Sequence, residues 1–171
     1  TDAVAAATRA GAADVAIVFV EKYFAEGSDS ADMALGDGQD ALIEAVAGAN
    51  PRTVVVLQTG NPVAMPWRDH VAAVVCAWYA GQRGADAIAR VLSGAVNPSG
   101  HLPVTWPASL DQLPLPKLPG SDVPEADEAT KAAFSFQADR VPFSMTYPEG
   151  SDVGYRWFDR NRQVPLYAFG F

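Results

Sequence analysis

Shortly beyond the apolar run Val15-Ala-Ile-Val-Phe-Val20 stands the string Glu26-Gly-Ser-Asp29. A carboxyl beside a glycine in a loop suits general acid and base work. Gly27 lets the backbone bend close to a ligand, and Tyr23 and Phe24 are placed to desolvate the acid and raise its pKa. Taken alone, these letters read first as a solvent-exposed glutamate in an acidic loop. Between Glu21 and Glu44 there are seven carboxylates and a single base, Lys22. Asp29 and Asp32 are better suited to fixing the loop through backbone N–H groups than to touching a ligand.

Other chemistries find little support. His70 and His101 are far apart, with no cysteine or carboxylate at ligand spacing, so no metal site is expected. A single cysteine, Cys76, lies in an apolar run and reads as a small buried hydrophobe. Gly81-Gln-Arg-Gly84 precedes a helix but lacks both the Lys-Ser/Thr and the spaced triple glycine of a phosphate cradle. No Gly-x-Ser-x-Gly elbow is present. Trp78 and Tyr79 end the third apolar run, where flat rings suit either stacking or packing.

The elements that must position these groups alternate in type. Residues 1–12 are alanine-rich and read as a helix entered in its middle, with no capping signal ahead of it. Residues 15–20, 53–58 and 73–78 are short apolar runs without alternation, as expected of strands buried on both faces of a parallel sheet. Between the first two, Asp37 is the expected cap of a helix whose face carries Leu42, Ala45, Val46 and Ala49. Residues 84–93 form the next helix, with Ile88, Val91 and Leu92 on one face and Gly94 as its left-handed cap. Leu102-Pro-Val-Thr-Trp106 reads as an edge strand, since Pro103 offers no donor. The expected fold is therefore α/β: a doubly wound, mostly parallel sheet flanked by helices and joined by right-handed crossovers. Residues 1–106 carry the sheet and helices. Residues 107–171 carry a proline-rich wrap and a terminal strand, nine of the thirteen prolines falling from Pro98 to Pro148.

Composition bounds the partners. The chain's 171 residues suffice for one domain with its own core, and 49% of them are hydrophobic. Twelve basic against twenty acidic residues give a net charge of −8, which repels polyanions, so nucleic acid is not an expected partner. The longest apolar run, residues 71–80, is half the length of a membrane span, so no membrane partner is expected.

Glu26-Gly-Ser-Asp29, Gly60-Asn-Pro-Val63, Asn97-Pro-Ser-Gly-His-Leu-Pro103, Tyr147-Pro-Glu-Gly150 and Val153-Gly-Tyr-Arg156 form a collinear set that covers nearly the whole chain. In these strings the chain resembles glycoside hydrolase family 3, the β-glucosidase and β-xylosidase family, in its flavodoxin-like C-terminal α/β sandwich domain. The resemblance implies a retaining exo-β-glycosidase that removes terminal β-linked sugars. In that family an aspartate nucleophile lies on an N-terminal (β/α)8-type barrel, and a sandwich-loop glutamate is the general acid/base. By position in the motif that glutamate is Glu26, with Glu21, at the strand end, the competing candidate. In the retaining geometry the two carboxyls approach to about 5–5.5 Å.

The resemblance implies no metal and no organic cofactor. The implied partners are the barrel domain, which is expected to bury one side of the sheet, and an oligosaccharide or glycoside substrate. Family members are often exported, which points to a periplasmic or secreted location and leaves a cytoplasmic one open. The resemblance makes Trp78 and Tyr79 packing residues rather than a platform for a pyranose. Ser30 stands where an arginine is common, Gly36 and Ala168 where prolines are. The earlier strands of the sandwich, its glycine-rich opening and a closing Gly-Leu-Ser-Tyr are not found, so the chain reads as a fragment, inactive alone because the nucleophile is elsewhere. The rival reading is a non-catalytic sugar-binding or scaffolding α/β module, since a fold does not carry a function by itself.

Overall fold

The computed structural model of the chain describes residues 2–26, 30–117, 119–121 and 144–171. Helix α1 (Ala3–Gly11) leads into strand β1 (Ala16–Lys22), and helix α2 (Gln39–Ala49) into β2 (Thr53–Thr59). Strand β3 (Ala73–Cys76), helix α3 (Gly84–Leu92) and helix α4 (Tyr155–Arg160) follow. The strands form a parallel sheet in the order β1-β2-β3, with Val18 beside Val55 and Val55 beside Val74. This is the expected α/β architecture, a parallel sheet flanked by helices.

The core lies on one face of that sheet. Val18 and Val20 of β1 and Val55 and Leu57 of β2 alternate inward and meet Ala10 of α1 and Ile43 and Val46 of α2, all buried. Each valine, leucine or isoleucine so buried contributes about 1.5–3 kcal/mol over exposure. Trp67 and Trp106 belong to the same cluster, the Trp106 indole N–H donating to the Val63 carbonyl at 2.8 Å.

Several local expectations are corrected. The first helix does have a cap: Asp2 Oδ1 accepts the N–H groups of Val4 and Ala5 at 3.0 and 3.2 Å. Strand β1 is buried on one face only, with Ile17 46% and Phe19 52% exposed, because no described element covers its second face. Helix α2 buries Val46 and packs Leu42 against the core as expected, but Ile43 and Ala47 are buried too and Ala49 is exposed, because the helix is wedged between α1 and β1 and covered on two sides.

Asp37 does not cap α2. Gly36, Asp37 and Gly38 have φ of 79°, 50° and 71°, and this left-handed turn puts Gly38 at the cap position. A proline, fixed near −65°, cannot adopt the conformation of Gly36, so the departure noted there has a backbone reason. Helix α3 ends as expected, with Gly94 left-handed at φ 75°.

Residues 102–106 do not join the sheet. Leu102 exchanges bonds of 2.9 Å with Phe171 and Gly170, and the Trp106 N–H donates to the Tyr167 carbonyl at 2.9 Å. With Pro103 lacking an N–H, the pairing shrinks to one antiparallel bridge between Trp106 and Tyr167. The terminal strand expected within residues 107–171 is likewise absent among the described residues. Helix α4, which buries Phe158, and that bridge stand in its place.

Candidate functional site

Ligands of parallel α/β sheets are met where the chain leaves the carboxyl ends of the strands. Here the segments after β1, β2 and β3 contribute Glu26, Asn61 and Tyr79 to one open cleft of about 860 Å³, with Met33, Leu110 and Met145 among its apolar walls. Glu26 is exposed at this cleft. Glu21 is also exposed but belongs to β1 and does not line the cleft, so the two candidate carboxylates are not brought together. Gly27, Ser28 and Asp29 lie outside the described residues.

Side chains from elsewhere hold the backbone that delivers Glu26. Gln39 accepts the Glu21 N–H at 2.9 Å and donates to the Glu21 carbonyl at 2.8 Å, imitating a neighbouring strand. The Tyr79 hydroxyl accepts the Phe24 N–H at 2.7 Å and donates to the Lys22 carbonyl at 3.0 Å. Lys22 Nζ reaches forward to Asp32 Oδ1 at 2.8 Å and to the carbonyls of Asp32 and Ala34 at 3.0 and 2.6 Å.

Asp32 Oδ1 also takes the Ala34 N–H at 3.0 Å, so Asp32 fixes the loop as its sequence context predicts. The hydrogen bond from the Lys22 ammonium holds the Asp32 carboxyl below the usual carboxylate range. Its side chain is 67% exposed, so water screens much of that attraction.

The aromatic shell expected around Glu26 is only partly built. Phe24 lines the cleft, with Lys22 Nζ 5.5 Å from its ring centroid, whereas Tyr23 is 83% exposed and shields nothing. Trp78 and Tyr79 also divide. Trp78 packs on Trp106 at 5.8 Å between ring centroids, as a core residue does, but Tyr79 is 54% exposed and serves the loop. The core packing expected of Tyr79 is corrected: its hydroxyl partners lie 55 and 57 residues away, beyond the reach of local pattern.

The remaining candidates have other occupations. His70 Nδ1 lies 2.8 Å from Glu44 Oε2, and His101 Nδ1 lies 3.0 Å from the Gly170 carbonyl. Among the described residues no three His, Cys, Asp or Glu side chains stand together as a metal set. Cys76 is half-buried, and burial pushes its thiol pKa up. A second hollow of about 600 Å³ lies over α1 and β1, walled largely by alanine methyls with Ile17 and Phe19; it is an uncovered flank of the sheet. Among the described residues no helix is long and apolar enough to cross a membrane.

Comparison with known proteins sets this geometry in context. The family described as "Glycosyl hydrolase family 3 C-terminal domain" matches residues 1–155. Beta-glucosidase B of Emericella nidulans is 43% identical over 167 residues, which are 92% of this chain and 18% of that protein. Thermostable beta-glucosidase B of Acetivibrio thermocellus is 41% identical over 165 residues, 94% of this chain and 19% of the relative. Among solved structures, a β-glucosidase from Streptomyces venezuelae in complex with D-glucose superposes with a TM-score of 0.77 at 40% identity. The match covers 98% of this chain and 19% of that one. A β-glucosidase from Kluyveromyces marxianus in complex with glucose gives a TM-score of 0.81 at 31% identity, covering 99% and 18%.

Proposed function

The chain belongs to the glycosyl hydrolase family 3 C-terminal domains, and from that premise we propose that it supplies the general acid/base of a retaining exo-β-glycosidase. Its substrates are terminal β-linked sugars, glucose foremost. Glu26 protonates the departing glycosidic oxygen and later takes a proton from the water that releases the sugar. The attacking carboxylate comes from a barrel domain that docks over the carboxyl ends of the strands and closes the cleft. Alone, the chain turns over no substrate, because the second carboxyl is missing from it. No metal or organic cofactor takes part.

The observation that carries this reading is the place of Glu26: it opens into the cleft formed where three successive strands end, while Glu21 does not. Exposure of Glu26 fits the proposal, since the covering surface belongs to the barrel; closure excludes water and strengthens its interactions there.

The test is Glu26→Gln in an enzyme that contains this chain and the barrel, assayed on aryl β-glucosides. A poor leaving group needs the proton, so its rate falls by about 10²–10⁴-fold, while a good leaving group departs almost unaided. Glu21→Gln leaves both rates alone. Undiminished rates in Glu26→Gln remove Glu26 from the chemistry. A Glu21→Gln variant that is also undiminished then returns the chain to the reading of a non-catalytic module.

A further inference from the structure

We propose that Tyr79 is the positioning residue that sets Glu26 over the cleft, a reading that rests on the proton-donor role given to Glu26 above. Tyr79 follows the end of β3, yet its hydroxyl bonds to Lys22, the last residue of β1, and to Phe24 just beyond it. Since β2 lies between those strands, the side chain is a strut across the ends of all three. Its contact with Phe24 is two residues before Glu26.

Two further features make room for the strut. At the end of β2, a Cβ built on Gly60 lies 2.9 Å from Tyr79 Cε2 and 3.0 Å from its hydroxyl, so the ring lies where any other residue would put a side chain. Immediately before Tyr79, Trp78 holds φ of 49°, a left-handed conformation that a bulky residue adopts only under constraint from its surroundings. The packing of Trp78 on Trp106 anchors it there. This backbone turn, the missing Cβ and a hydroxyl used as both acceptor and donor converge on one function: fixing residues 22–24 relative to the sheet.

Removing the hydroxyl frees those residues while leaving the ring in place. Misplacing a catalytic group by about 1 Å costs on the order of 10²-fold in rate. In the full-length enzyme carrying this chain, Tyr79→Phe is therefore expected to lose about ten- to hundred-fold in kcat on a poor aryl leaving group. KM and the rate on a 2,4-dinitrophenyl glucoside stay near wild type, and hydrogen exchange at the Phe24 amide accelerates. Four results overturn the proposal. Unchanged kinetics in Tyr79→Phe with a raised KM in Tyr79→Ala make the ring a sugar platform. Equal losses on both leaving groups, tracking a lowered Tm, make the residue structural. Undiminished rates of Glu26→Gln on the poor leaving group overturn the acid assignment and this proposal with it, whereas a leaving-group-selective loss in Glu26→Gln with none in Tyr79→Phe overturns this proposal alone.

Discussion

The amino and carboxyl ends of β1 are both tied by side chains, but in different environments. Ahead of β1, Asn50 is 4% exposed; its Nδ2 donates to the carbonyls of Ala10 and Ala13 at 2.9 Å each, and its Oδ1 accepts the Arg52 N–H at 2.8 Å. Beside it the buried Thr53 hydroxyl donates to the Asn50 carbonyl at 2.6 Å. At the carboxyl end of β1, the bonds of Gln39, Tyr79 and Lys22 to the backbone are chiefly exposed. A buried partner left unmade has no water to replace it, so the first set stabilises. An exposed partner is readily replaced by water, so the second contributes little stability and serves mainly to orient.

Substitutions that separate stability from orientation test the contrast. The largest effect on stability is expected of Asn50→Ala, which strands buried backbone groups worth about 1–3 kcal/mol each. A loss of about 3 kcal/mol in denaturant unfolding, with the leaving-group profile intact, is the expected outcome. A smaller loss accompanied by an altered profile breaks the contrast.

Gly60→Ala comes next. Its Cβ displaces the Tyr79 ring, which is exposed enough to swing outward, so less than about 1 kcal/mol of stability is lost. Exchange across residues 22–26 nevertheless rises, and Gly60→Ala adds nothing further in a Tyr79→Ala background. Additive effects in that double variant show that Gly60 acts on something other than the ring.

Acid gives the smallest effect. The folded pKa of Asp32 is lowered by the Lys22 ammonium, so its contribution is complete above the pKa of an unfolded aspartate and is lost as pH falls through the lower folded value. Exchange at residues 30–34 is expected to accelerate over that acid interval while the core of β2 stays protected. Asp32→Asn abolishes the pH dependence.

Much of the frame was legible because it depends on short-range pattern. The apolar runs around Val18, Val55 and Val75 mark strands wherever they are placed, and Gly94 marks a helix end. What escaped depends on neighbours distant in sequence. Ile17 and Phe19 look like core residues until the cover over them is known, and Tyr155 to Arg160 became a helix where the alternation of Val153, Tyr155 and Trp157 fits a strand equally well. At the candidate site, the motif around Glu26 marked a glutamate that lines the cleft. No local pattern reveals that Trp78 turns left-handed and sends Tyr79 across two strand ends.

The three ties at the carboxyl end of β1 have a consequence for redesign. Gln39, Tyr79 and Lys22 give an engineer separate adjusting screws for the loop, each addressable by one codon and none of them in the packed interior of the sheet. On the proposal that Glu26 donates the proton, tolerance for different departing groups is tuned there while the register of β1 against β2, and the interior beneath it, are inherited unchanged.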